Sequence, residues 1–159
     1  MDGMDIRRRI ALLLGMPRVK LLEQKNYPIS LTLDVRVSDL NYGAHLGYDH
    51  LLSMAHQARV ELFNEMGVTE LDLGDKKTGI VAADLAVQYK GEAFVMDSLL
   101  FETAPIEIGL ASFRLAHRVS NLTTKRPVAL IEIGFAAFDL ENRRSGRLPE
   151  EFKNKLESI

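Results

Sequence analysis

The residues best suited to chemistry lie in one short stretch: Asp39, Asn41, His45 and Asp49, the last three each four residues apart. Carboxylates and imidazoles move protons, and a carboxamide orients water or a carbonyl. The run Asp39-Leu40-Asn41-Tyr42-Gly43-Ala44-His45-Leu46-Gly47-Tyr48-Asp49 is polar, contains glycine, and stands directly before a helical pattern. A helix that begins there has free backbone N–H groups able to hold a developing oxyanion. Leu46 and Gly47 are candidates to present N–H groups to a carbonyl oxygen, and Gly47 lets a substrate approach the main chain. Acyl transfer suits this set: Asn41 orients water or the acyl group, and His45 or Asp49 handles the proton. The same residue types also make ordinary turns and caps, with Asp49 offsetting the helix dipole, so spacing alone leaves both readings open.

Other chemistries find little support. There is no Gly-rich phosphate loop, no Gly-x-Ser-x-Gly elbow and no His-Glu-x-x-His pair. The absence of cysteine excludes disulfides, thiolate nucleophiles and Cys-based zinc sites. The histidines His45, His50, His56 and His117 do not assemble into a ligand set, so neither a metal nor a resident cofactor is expected. His117 continues an apolar strand pattern and is expected at a core edge or subunit contact. Lys90, Arg114, Arg118, Lys125 and Arg126, near expected strand ends, are candidates to meet the phosphates of a nucleotide handle, although solvated charge is their default. A formal charge of −2 creates no field attracting nucleic acid or an anionic membrane, so neither is expected as a partner.

The elements that must position this cluster are written in hydrophobic period. Ile29, Leu31, Leu33, Val35 and Val37 alternate with polar residues, which predicts a strand with one buried face. After the polar loop, Leu51, Ala55, Ala58 and Leu62, widened by Leu52, Met54 and Phe63, predict a deeply buried helix, with Gly67 as its C-cap. Four strands follow. The first carries the apolar series Val81, Ala83, Leu85, Val87 and Tyr89, the second lies around Val95 to Thr103, and the third has Phe113, Leu115 and Val119. The fourth, Val128 to Phe138, is nearly continuous in apolar residues and should be central or covered on both faces. At 159 residues with 47% hydrophobic and 26% charged residues, one globular domain over 1–159 is expected, its core about 28–140. Ile10 to Gly15, in an N-terminal extension over 1–20, predicts an amphipathic helix too short for a membrane span, and 148–158 predicts a C-terminal helix opened by Pro149. A cytoplasmic location is expected. One antiparallel sheet curling around one helix satisfies this order, an α+β architecture. The sheet's other face needs further cover, so a homodimer or homotetramer is expected.

The stretch Val37 to Leu46, followed by Ala58-Arg59-Val60-Glu61-Leu62-Phe63 and Gly67, resembles the hotdog-fold thioesterases of the 4-hydroxybenzoyl-CoA thioesterase type. Val87-Gln88-Tyr89-Lys90 with Met96-Asp97, and Phe138 to Glu141 through Arg147 to Phe152, are similar to that family's later strand, turn and tail. The resemblance covers about Ile29 to Phe152. It implies a five-stranded curled antiparallel sheet wrapped around one long helix, with short terminal helices. It also implies hydrolysis of an acyl-CoA or related acyl thioester, coenzyme A being part of the substrate. Asn41 then stands at the family's catalytic aspartate, His45 and the helix start bind the thioester carbonyl, and the pantetheine arm enters between subunits. Asn41 has no carboxylate, so water activation falls to Asp49, Asp39 or His45. Asn41, His45 and Asp49 are thus the expected catalytic residues, with Asp39, Leu46, Gly47, Tyr48, Tyr89 and Lys90 expected to bind substrate. Two alternatives share the fold: an enoyl-thioester hydratase, whose Asp-x-Asn-x-x-His motif Asp39, Asn41 and His45 distantly resemble, and a non-catalytic acyl-CoA binding module.

Overall fold

The computed structural model describes residues 19–159, so the helix expected over Ile10 to Gly15 lies outside the described residues. Strands β1 (Ile29–Asp34), β2 (Thr78–Tyr89), β3 (Ser98–Ile106), β4 (Ser112–Asn121) and β5 (Arg126–Asp139) form one antiparallel sheet in the order β1-β3-β4-β5-β2. The two-residue β6 (Arg144–Ser145) pairs with the end of β5. Helix α1 (Tyr48–Glu65) lies between β1 and β2 in the chain, and α2 (Glu150–Glu157) closes it. The sheet curls around α1, the hotdog arrangement.

The apolar stripe of α1 explains why the sheet wraps it. Leu51, Met54, Ala55, Ala58, Leu62 and Phe63 are buried against Leu99 and Phe101 of β3, Phe113 and Leu115 of β4, and Ile131 and Phe135 of β5. Burying a side chain of this size contributes about 1.5–3 kcal/mol, which makes the helix the keystone of the core. Phe152 of α2 seals one end, edge-on to Phe63 at 5.6 Å and to Phe113 at 5.5 Å. The one charged residue buried on α1, Arg59, is compensated: its Nε donates to Glu70 Oε1 and its guanidinium lies 4.5 Å from the Phe135 ring centre. The helix stops where glycine allows it. Gly67 has φ +69°, its N–H donates to the Asn64 carbonyl, and the Val68 N–H donates to that of Phe63. That pair of bonds is a Schellman motif.

One expectation about strands needs correcting, and one strand carries an irregularity. β1 ends at Asp34 rather than running to Val37: Val35 is buried, whereas Val37 is 77% exposed in the single 3-10 turn Val37–Asp39. The turn forms because the Asp39 carboxylate accepts the Arg36 N–H at 2.8 Å and pulls the chain out of the extended form. In β2 the apolar series is interrupted by a register shift. Ala82 pairs with Phe135 and Asp84 with Gly134, leaving Ala83 as the extra residue of a β-bulge. The bulge switches the side-chain parity, so Val81 and Leu85 point to opposite faces, and they are 38% and 48% exposed. β5 is central and buried along most of its length, as its apolar run requires. Among the described residues, no helix is long and apolar enough to cross a membrane.

Candidate active site

The loop between β1 and α1 folds back on itself. Leu40 and Leu46 form an antiparallel bridge, the Asn41 N–H donates to the His45 carbonyl at 2.9 Å, and the Ala44 N–H donates to the Asn41 carbonyl at 3.0 Å. Ala44 has φ +61°, the left-handed conformation that glycine adopts more readily. The Gly43 N–H donates to Asn41 Oδ1 at 2.8 Å, which turns Asn41 Nδ2 towards His45 Nε2, 3.4 Å away. His45 Nδ1 lies 3.2 Å from the Leu46 carbonyl. A carbonyl only accepts, so Nδ1 carries the proton and Nε2 presents its lone pair to the Asn41 amide. Asn41 and His45 therefore form one unit, set by the loop's own hydrogen bonds.

This unit opens onto a cleft of about 280 Å³. Its floor is apolar and buried, made by Leu46, Leu51, Ala93 and Val128, while Tyr48 and Tyr89 flank it. Burial pushes the Tyr89 phenol above its ordinary value, with Tyr48 and the Asp49 carboxylate nearby adding to the effect. Asp49 lies in the first turn of α1 with its side chain 65% exposed, and its Oδ2 is 3.8 Å from His50 Nε2. Ala93, Val128 and the rim residue Glu92 were not singled out from sequence. They arrive from the β2–β3 connection and the start of β5.

Two expected roles change. The N–H groups of Leu46 and Gly47 are not available to a substrate: Leu46 donates to the Ala93 carbonyl at 2.8 Å and Gly47 to that of Asp39 at 3.0 Å. The first helical bond runs from the Leu51 N–H to the Gly47 carbonyl. Among the described residues, the N–H groups of Tyr48, Asp49 and His50 meet no protein acceptor, so the free donors lie one to three residues later than expected. Asp39 also turns away from the cleft. It is 2% exposed, and its carboxylate accepts from the Arg36 N–H, from Arg36 Nε at 3.2 Å and from Arg36 Nη2 at 3.1 Å. These hydrogen bonds hold its carboxyl below the usual carboxylate range despite burial. Paired in this way with Arg36, Asp39 anchors the loop and lines a different cleft, with His50, Ser53 and Gln57. Replacing Asp39 by alanine is expected to lower the unfolding free energy by about 1–3 kcal/mol in a urea titration. An unchanged midpoint would remove the anchoring role.

Lys90 lines a neighbouring groove rather than the cleft. His117 is fully buried on β4, further inside than a core edge, with Nδ1 2.9 Å from Thr103 Oγ1 and no partner for Nε2. His56 meets Glu70 at 3.1 Å, away from the cleft.

A family model described as "Thioesterase-like superfamily" matches residues 35–156. The chain belongs to the thioesterase-like superfamily. Solved structures of the same fold include the 1,4-dihydroxy-2-naphthoyl-CoA thioesterase of Synechocystis, 13% identical, with TM-score 0.73 over 82% of this chain and 96% of that one. A probable thioesterase of Escherichia coli is 19% identical, with TM-score 0.69 over 82% of this chain and 97% of that one. A gentisyl-coenzyme A thioesterase is 18% identical, with TM-score 0.70 over 80% of this chain and 99% of that one. No curated protein matches the chain. Membership of this superfamily supports acyl thioester hydrolysis.

Proposed function

We propose that the protein hydrolyses an acyl-CoA to the free acid and coenzyme A in the Asn41–His45 cleft, with no resident metal or cofactor. The observation that carries this reading is the Asn41–His45 unit at the mouth of an apolar-floored cleft, beside the free N–H groups that begin α1. In this mechanism the acyl group lies over Leu46, Leu51 and Val128, and its carbonyl oxygen accepts from the Asn41 amide and from helix-start N–H groups. Water attacks the carbonyl carbon while Asp49 takes its proton, and the N–H groups stabilise the tetrahedral oxyanion. The C–S bond then breaks, and the departing sulfur takes the proton from Asp49 to become the free thiol, which regenerates the carboxylate. His45, held with its Nε2 lone pair towards Asn41, fixes the orientation of that amide.

The reading includes a homodimer in the cytoplasm. Strand β2 has β5 on one side only, and an edge of this length exposing Val81 and Leu85 calls for cover. A second copy pairing along the same edge would supply it by two-fold symmetry and place a partner surface beside Tyr89. A thiol-release assay over aliphatic and aromatic acyl-CoA substrates tests the proposal. Free thiol formed catalytically from at least one of them supports it; water addition to a crotonyl thioester with the thioester intact, or tight binding without turnover, would replace it.

A further inference from the structure

His50 stands where helix chemistry disfavours a basic side chain. With Gly47 as the N-cap, it is the third residue of α1. That position favours an acid or an amide, because it lies at the positive end of the helix dipole beside free N–H groups. What the ring meets there is a carboxylate at each nitrogen. Its Nδ1 lies 3.6 Å from Asp39 Oδ1, and its Nε2 lies 3.8 Å from Asp49 Oδ2. Both distances are within ion-pair reach but longer than a hydrogen bond, as catalytic contacts commonly are before substrate tightens them. The two carboxylates differ in freedom. Asp39 is buried and fixed by three contacts to Arg36, whereas the Asp49 side chain is 65% exposed.

Gly47 supplies the room that the exposed carboxylate uses. Its backbone, with φ −71° and ψ 148°, is one that alanine adopts freely, so conformation does not call for glycine. Space does. A Cβ at position 47 would stand 2.5 Å from Asp49 Oδ1, and 3.5 Å from both Asn41 Cβ and His50 Cδ2. The Asp49 carboxylate therefore folds back over the N-cap. One oxygen occupies the place of the missing side chain, on the Asn41 side, and the other faces His50. A surface carboxylate with no such seat swings among rotamers, and a base that swings does not hold its water in line with the carbonyl.

We propose that His50 is a positioning residue that holds the Asp49 carboxylate over Gly47 and beside Asn41, an assignment that deepens the hydrolysis reading and rests on it. The contacts run from Arg36 to Asp39, from Asp39 to His50 and from His50 to Asp49, a path from a buried anchor to an exposed base. Asp39 steadies the imidazole from behind, so its place outside the cleft still serves the chemistry. His50 touches no substrate atom and acts through Asp49 alone. Gly47 serves the same end by leaving its side-chain space empty. Removing the imidazole frees Asp49 to turn to solvent, and adding a methyl group at position 47 pushes it there.

The test uses the full chain, thiol-release kinetics and crystal structures. His50→Leu should lower kcat about 10²-fold with little change in KM, the cost of a misplacement near an ångström. His50→Gln, whose amide nitrogen reaches the place of Nε2 and whose type suits the third helical position, should restore most of the rate. Gly47→Ala should lose kcat to a similar extent while still melting cooperatively, because the new Cβ displaces only the free end of Asp49. In an Asp49→Asn background, His50→Leu should cost nothing further, since the two residues act as one unit. A His50→Leu protein as fast as the wild type, a His50→Gln protein as slow as His50→Leu, or an equal loss with and without the Asp49 carboxylate would overturn the assignment. Crystals of the wild type and of His50→Leu separate it from the hydrolysis reading. A carboxylate that keeps its place in both overturns the assignment; one seated over Gly47 in the wild type and turned to solvent in the variant, in a protein that cleaves no thioester, upholds the seat and overturns hydrolysis instead.

Discussion

Replacing Asp49 by asparagine is expected to lower kcat for thiol release by about 10²–10⁴-fold, the usual worth of a general base, while KM changes little. The substitution keeps the size of the side chain and removes only the basic oxygen. Asp49 is largely exposed, and among the described residues its nearest basic side-chain nitrogen is His50 Nε2 at 3.8 Å. Its other role, offsetting the dipole of α1, is worth about 0.3–1 kcal/mol, so the variant should unfold within about 1 kcal/mol of wild type. Rate and stability thus separate the two roles: a large fall in kcat with intact stability marks a base, and a small stability loss with intact kcat marks a dipole partner. The second outcome would end the assignment of Asp49. His45→Ala would then have to carry the base's full effect, because the Asp39 carboxylate is buried and paired with Arg36. Asn41→Ala should lower kcat/KM without abolishing turnover, since the N–H groups of Tyr48, Asp49 and His50 remain to hold the oxyanion.

Much of this geometry was legible in the amino-acid order because it depends on contacts between near neighbours. The stripe from Leu51 to Phe63 encodes a helix with a wide buried face, and Gly67 encodes its stop. Asn41 and His45 meet because the loop between them closes within a few residues, through the bonds from Gly43 to Asn41 and from Asn41 to His45. Long-range pairing was not legible. Leu46 and Gly47 looked like free donors, but Leu46 is claimed by Ala93, far along the chain, in the connection between β2 and β3, a loop-to-loop contact that local pattern does not specify. The β2 series gave no sign of the bulge at Ala83, because such a bulge leaves no compositional mark. Asp39 looked like part of a catalytic set, yet the Arg36 pair three residues away carried the contrary signal. The basic residues near strand ends show the same division. Charge nominates five basic residues, and only the register of β4 against β5 and of β3 against β4 shows Arg114 and Arg118 spent on acidic neighbours.

Acidification from pH 6.5 to about 4 is expected to cost the fold about 3 kcal/mol through one residue, His117, since each tenfold loss of proton affinity on folding is worth about 1.36 kcal/mol. Burial lowers its pKa from 6.5 to about 4, with the Arg59 charge adding to the effect. The sign follows from proton counting. Between these values the unfolded chain carries a proton on this imidazole and the folded protein does not, so lowering the pH favours unfolding. The effect is absent above pH 6.5, grows through the window and levels off below about 4. Asp39 and Asp139, whose carboxyls are held below the ordinary 3.8, add losses of the same direction only at lower pH. A simple His117→Leu replacement would leave the buried Thr103 hydroxyl without its 2.9 Å partner, an independent cost of about 1–3 kcal/mol. Replacing both members, as His117→Leu/Thr103→Val, removes the titrating group and its partner together, and the orphaned Nε2 with them. Urea unfolding of this double variant should change little between about pH 6.5 and 4.5, while the wild type weakens steadily across the same range. If the two proteins weaken in parallel, the acid sensitivity lies elsewhere and His117 is not its source.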